Sequence, residues 1–275
     1  MYSINCKGKL LTFQNPLVMG IINATPDSFY KGHLQYGAEG IMALAGKMID
    51  EGAAILDIGG QSTRPGSQRI TVEEELNRVI PVVEAIHCKY PDMILSIDTY
   101  SSIVARSSVE AGASIVNDIS GGKMDVNMIE TVANLRVPYI CMHMQGTPDV
   151  MQNKPTYPDV VKEVLDYFIT KIDECKSSGI VDVIIDPGFG FGKTISHSFQ
   201  LLKHLSVLSI TGKPILAGLS RKSTIYKTLG ITAEQALNGT SILNTMALMN
   251  GASLLRVHDV KEAKEAITLF SEYKK

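Results

Sequence analysis

Ala54-Ile55-Leu56-Asp57-Ile58-Gly59-Gly60-Gln61-Ser62-Thr63-Arg64-Pro65-Gly66 is a short apolar run that breaks off into an acid, glycines and a polar loop. Val72, Leu76, Val79, Ile80 and Val83 follow at helical spacing. A continuous, non-alternating run of this length reads as a parallel strand buried on both faces, and the periodic stretch reads as an amphipathic helix packed against it. The same unit recurs in both directions along the chain. Further apolar runs fall at 17–22, 93–97, 114–116, 138–142, 181–185, 214–219 and 253–257, and helix stops stand at Glu51-Gly52, Ala111-Gly112 and Ser178-Gly179.

Eight strand-then-helix units in 275 residues predict one α/β domain over 1–275, closed as a (β/α)8 TIM barrel. An open doubly wound sheet is the rival arrangement. Ahead of the first unit, residues 3–6 and 9–13 flank a Lys7-Gly8 turn, which predicts an N-terminal β-hairpin closing the barrel bottom. With 45% hydrophobic residues there is ample material for one core. A net charge of −2 with no long run of one sign argues against a nucleic-acid or membrane footprint. The N-terminal residues lack the apolar run of a signal peptide, no stretch is apolar enough to span a membrane, and Cys6, Cys88, Cys141 and Cys175 show no zinc spacing. We therefore expect a cytoplasmic protein with reduced thiols.

Barrel enzymes carry their chemistry at the C-terminal strand ends, and here every such end is polar. They include Asn23, Asp57, Asp98, Asn117-Asp118, Met142-His143, Asp186, Ser220-Arg221-Lys222-Ser223 and Arg256-Val257-His258. Acids that follow strongly apolar runs would sit inside the mouth and need partners. For Asp57 an ion pair or cap is the competing reading, and for Asn117 a helix cap. Arg256 and His258 share one strand face, which suits a phosphate; a salt bridge to a neighbouring loop is the alternative. Gly188 to Thr194 ends like a phosphate loop, but Pro187 stands where its first glycine must be. The run reads instead as a loop bringing Phe189 or Phe191 over a flat ligand. Arg221 and Lys222, at a predicted helix start, suggest a second positive corner. His143 reads as a structural barrel residue; His33, His87, His197 and His204 read as surface positions.

These rim sequences resemble the dihydropteroate synthase family from the first strand to the last. The segments 23–29 and 57–66 look like its two signature regions, with Gln61 standing where many members carry Glu. The resemblance implies condensation of a pterin methyl diphosphate with p-aminobenzoate in folate synthesis, a need for Mg2+, a homodimer and a target for sulfonamides. It also implies site roles. Asp186 and Asn117 would bind the amino-pyrimidinone edge and Lys222 the ring acceptors, with Asp98 at the ring nitrogens and Met142 also in the substrate site. Arg256, His258 and a metal held through Asn23 would balance the diphosphate. Thr63 would join the pterin diphosphate site, Arg64 would also lie in the substrate site, and Ser223 would take the aminobenzoate carboxylate. Phe29, Pro65 and Phe191 would form the slot for its ring. Asp98, Lys222, Arg256 and His258 are the catalytic candidates, and the loops after the first two strands are expected to order on the pterin substrate. A methyltetrahydrofolate-dependent methyltransferase and a silent pterin-binding paralogue are the rival functions.

Overall fold

The computed structural model describes residues 2–24, 37–61, 69–147, 151 and 155–275. Strands β1 (Tyr2–Cys6) and β2 (Lys9–Phe13) pair antiparallel as the expected hairpin. The barrel strands are β3 (Leu17–Asn23), β4 (Ile55–Gly59), β5 (Ile94–Asp98), β6 (Ile115–Asp118), β7 (Tyr139–Met142), β8 (Val183–Asp186), β9 (Leu216–Ala217) and β10 (Leu254–Val257). They form one parallel sheet in the order β8-β7-β6-β5-β4-β3-β10-β9. The two ends of that order meet, because Ile185 bridges Ile215 and its N–H donates to the Pro214 carbonyl at 3.0 Å. This closure separates a barrel from an open sheet. The seventh barrel strand is shorter than the expected 214–219 at both ends, and Pro214 at its start has no N–H to offer the ladder.

Helices α1 (Gly37–Asp50), α2 (Val72–Lys89), α3 (Ser102–Glu110), α4 (Met128–Leu135), α5 (Val160–Ser177), α6 (Ile195–Lys203), α7 (Ser223–Leu229), α8 (Leu237–Met249) and α9 (Val260–Tyr273) surround the strands. The strand-helix rhythm did not announce α8, which comes between α7 and β10. Helix α2 shows how local sequence sets its own ends. The Thr71 side chain accepts the Glu74 N–H, Glu73 to Glu75 occupy the first turn, and His87 and Lys89 the last, complementing the helix dipole. Its Val79, Val83 and Ile86 are buried against the sheet.

Register assigns every strand an inner and an outer face. Ile55, Asp57 and Gly59 lie beside Ile94, Ser96 and Asp98, and Asp98 lies beside Asn117. At the base, Met19, Ile55, Ile94, Ile115, Ile140, Ile184, Leu216 and Leu254 form a ring to which each barrel strand contributes one side chain. Ile4, Cys6 and Phe13 of the hairpin pack onto this ring, so the hairpin plugs the bottom. Full burial of each such side chain is worth about 1.5–3 kcal/mol. The Asn5 N–H also donates to Asp182 (2.8 Å) and Lys7 Nζ to the Val109 carbonyl (2.8 Å), which pins the plug in place.

Candidate active site

One step above the apolar ring, the inward positions turn polar. Asp57, Ser96, Asn117, Asp186 and Arg256 occupy places that barrel interiors usually give to branched apolar residues. Asp57 and Asp186 are buried, and Asp57 has no solvent exposure at all. Asp57 Oδ2 accepts from Arg256 Nε (2.6 Å) and from Asn117 Nδ2 (2.9 Å). Arg256 Nη2 donates to Asp98 Oδ2 at 2.5 Å. Arg256 thus ties two carboxylates on neighbouring strands, and two of its three nitrogens are engaged within the barrel. Asn117, for which a helix cap was the competing reading, faces this network instead. The cap-like work falls to Asp118, which accepts the Ser120 and Gly122 N–H groups at 2.7 Å each and the Tyr139 hydroxyl.

Burial pushes the Asp98 carboxyl up to about 7; Arg256 opposes the rise and Asp57 adds to it. Asp186 is also raised by burial, with Lys222 opposing, and its Oδ1 accepts the Gly188 N–H at 2.7 Å. Lys222 is lowered to about 8 by burial, while Asp186 draws it back. These two groups face each other across Gly218: a Cβ there would lie 3.7 Å from Lys222 Nζ and 3.9 Å from Asp186 Oδ2. Lys222 Nζ also donates to the Phe189 carbonyl (2.5 Å) and stands 4.5 Å from the Phe191 ring centre. Between the two aromatics of the glycine-rich run, the structure chooses. Phe189 is fully buried in the core, whereas Phe191 is half-buried and packs on Ile119, Met142, Met144 and Met151.

The two expected positive corners differ in kind. Arg221 turns away from the mouth and grips Asp259 through Nε (2.9 Å) and Nη2 (2.8 Å), with Nη1 on the Ala233 and Glu234 carbonyls. It is a brace, held at φ 53. Lys222 is therefore the cation that this corner turns towards the mouth. His258 is half-buried; its Nδ1 lies 2.9 Å from Ser220 Oγ, which fixes the ring. Ser223 opens α7, and Asn23 is exposed at the end of β3, level with Gly59 and Asp98. Thr63, Arg64, Pro65, Phe29 and His33 lie outside the described residues. Gln61 is buried, and its Oε1 accepts the Ile70 N–H at 2.9 Å. A glutamate oxygen could accept the same bond, so the departure leaves that contact possible in either residue.

Sequence reasoning passed over two buried charged groups. Glu75 of α2 is raised by burial, and its Oε1 has no hydrogen-bond partner among the described residues. Lys193 is buried against His143, with Nζ 2.9 Å from its Nδ1. Glu75 stands four residues before the buried Val79, so helical spacing itself places it on the apolar face and was the signal that could have found it. Lys193, at the end of a glycine run, carried no such signal. His143 is buried in the barrel wall, and its ring meets Tyr167 edge-on at 4.9 Å. His87 and His204 are exposed, whereas His197 is half-buried and completes the N-terminal cap of α6 with Thr194.

A model of the family described as pterin binding enzyme matches residues 19–258. The dihydropteroate synthase of Escherichia coli (strain K12) is 44% identical over 95% of this chain and 93% of its own. Two solved structures superpose over nearly the whole chain. One is the Yersinia pestis dihydropteroate synthase with a sulfonamide drug complex, at TM-score 0.94 and 39% identity, covering 99% of each chain. The other is the Xanthomonas albilineans enzyme with 4-aminobenzoic acid, at TM-score 0.92 and 42% identity, covering 99% of this chain and 98% of that one. With its whole polar tier inside the matched span, the chain belongs to the pterin-binding enzyme family, among the dihydropteroate synthases.

Proposed function

We infer that the barrel mouth condenses 6-hydroxymethyl-7,8-dihydropterin diphosphate with p-aminobenzoate, giving 7,8-dihydropteroate and diphosphate. The observation that carries this is the polar tier, in which three carboxylates, an amide and two cations converge above an otherwise apolar barrel. A pterin's amino-pyrimidinone edge offers donors to Asp186 and to the Asn117 oxygen, and its ring acceptors suit Lys222. Phe191 and Met142 supply apolar surface for the flat ring system. Asp98, ionised, faces the side of the ring that gains positive charge as the carbon–oxygen bond breaks, an electrostatic stabilisation set up in advance. The arylamine nitrogen then bonds to that carbon. The amine is neutral and already nucleophilic, so its proton leaves through water without a protein base. Ser223, at the start of α7, suits the aminobenzoate carboxylate; sulfonamides, as arylamines, suit the same slot.

Arg256 and His258 lie on the diphosphate side by the family's pattern. Mg2+ fits here as a substrate-borne ion. Asn23 offers a neutral, exposed amide oxygen at the mouth, and Mg2+ takes few protein ligands beside phosphate oxygens and water. Bound there, the ion would neutralise charge on the departing diphosphate. The supporting measurement is steady-state diphosphate release with and without p-aminobenzoate, repeated in excess chelator. Release should need both the arylamine and the metal. Binding of the pterin diphosphate without release would identify a silent paralogue, and full turnover in chelator would remove the metal from the scheme.

A homodimer is supported by the distribution of exposed apolar side chains. Nine of the fifteen large ones among the described residues lie beyond Ser198, including Ile242, Met246 and Met249 on one face of α8, and Leu269 and Tyr273 on α9. Apolar side chains exposed together on one helix face, as Ile242, Met246 and Met249 are, suit an interface. Sedimentation should give twice the chain mass for the wild type and a monomer for Ile242→Asp; a monomeric wild type refutes it. Among the described residues no helix is long and apolar enough to cross a membrane, and all four cysteines are unpaired, which supports a cytoplasmic location.

A further inference from the structure

The glycine-rich run after β8 ends like a phosphate loop but lacks that motif's first glycine, and its glycines have another reason to be there. Gly188 (φ +68) lies so near the segment after β7 that a Cβ would fall 2.1 Å from the His143 carbonyl oxygen. At Gly192 (φ +56) it would fall 2.4 Å from the Gln145 oxygen. Two loops therefore touch backbone to backbone, as only glycine permits. The buried Lys193 spans the seam. Its Nζ reaches His143 Nδ1 (2.9 Å), the His143 carbonyl (3.1 Å) and the Phe191 carbonyl (3.1 Å). Tyr157 adds its hydroxyl to the Gly192 carbonyl at 2.8 Å.

Burial holds His143 neutral, lowering it to about 2, so Nδ1 can accept from the lysine. Burial also lowers Lys193 to about 7, with Asp186 drawing it back and Lys222 and Lys123 pressing it down. An ammonium kept in so costly a place, with three acceptors aimed at it, fixes the loop that carries Phe191 and the Phe189 carbonyl. That carbonyl is the acceptor of Lys222.

We propose that Lys193 and His143 form a positioning pair that sets the Phe191 ring, and through the Phe189 carbonyl the Lys222 ammonium, without either member touching substrate. The proposal rests on the condensation described above. Misplacing a substrate-ordering group by about 1 Å can cost up to a hundredfold, so a displaced Phe191 should show chiefly in the aminobenzoate KM.

The test is a KM-against-kcat comparison alongside thermal melting. Lys193→Met and His143→Leu should each raise the KM for p-aminobenzoate about tenfold, with kcat falling less. His143→Gln, which keeps an acceptor for the lysine, should stay within about twofold of the wild type. Tyr157→Phe removes only a half-buried hydroxyl and should raise that KM about threefold, which keeps the test open if the buried variants fail to fold. If Lys193→Met or Tyr157→Phe lowers only the melting temperature and leaves KM unchanged, the pair is structural and the proposal is overturned. A wild-type protein that releases no diphosphate would instead refute the condensation itself, an outcome distinct from altered variants of an active enzyme.

Discussion

Arg256→Met should lower folding stability by about 3–5 kcal/mol at pH 8, the usual loss when one partner of a buried ion pair is removed. Folded domains hold only about 5–15 kcal/mol in all. The variant leaves the Asp57 and Asp98 carboxylates facing each other in the mouth, with Asp57 wholly out of water. The deficit should depend on pH with a definite sign. Asp98 already titrates near 7, above its ordinary range, because burial outweighs the pull of Arg256; without that pull it rises further. A raised carboxyl favours the fold below its unfolded value, and that advantage is lost as pH climbs through the folded value. The variant should therefore come closest to the wild type near pH 4–5 and fall furthest behind above pH 8. Urea titrations at pH 5 and pH 8 check this, and a loss under about 1 kcal/mol at pH 8 would mean that the pair contributes little.

Asp98→Asn should cut kcat about a hundredfold, equivalent to roughly 3 kcal/mol of transition-state stabilisation. Asp186→Asn should instead chiefly weaken pterin binding. Both acids end barrel strands, and the difference lies in what each meets. Asp186 is held by the Gly188 N–H and faces Lys222, an arrangement suited to hydrogen bonds that stay the same before and after bond cleavage. Such uniform binding lowers KM without raising turnover. In the proposed condensation, the attraction of Asp98 would grow as the ring gains charge. It also titrates where it can be seen, so wild-type kcat/KM should fall as pH drops through about 7 and Asp98 takes up a proton. The asparagine variant should lack that acid limb. If Asp98→Asn weakens pterin affinity as much as turnover, or if the limb survives the substitution, the assignment fails.

The sequence carried the barrel because buried parallel strands leave continuous apolar runs. Observed strands such as Ile55–Gly59 and Tyr139–Met142 fall within a residue or two of those runs. Residues two apart share a strand face, and this puts Asp57, Asn117, Asp186 and Arg256 on the inner face one step above the basal ring. Period and spacing say nothing about who stands across the barrel. Arg256 meets Asp57 from 199 residues away and Arg221 meets Asp259 from 38, so one rim arginine joins the site and the other becomes a brace. Similarly, Phe189 and Phe191 are equivalent in the sequence, and only the fold of the glycine run sends one inward and the other to the mouth. Lys193 escaped for the same reason, since its partner His143 comes from a loop fifty residues earlier.

The strand order also fixes when the molecule can become whole. Strand β10 lies between β3 and β9, so the first barrel strand made keeps one unpaired edge until the last has been synthesised. Some 230 residues separate them, on the order of ten to fifty seconds at about 5–20 residues per second. Through that interval the ribosome carries a chain with open ladder groups on β3 and a hairpin whose apolar partners are incomplete. Leu254 joins the basal ring only at the end. A chain stopped short of β10 would expose both edges at once, a template for aggregation. Acquisition of the native state is thus weighted toward the C-terminus, and so is the window in which a nascent chain depends on chaperones.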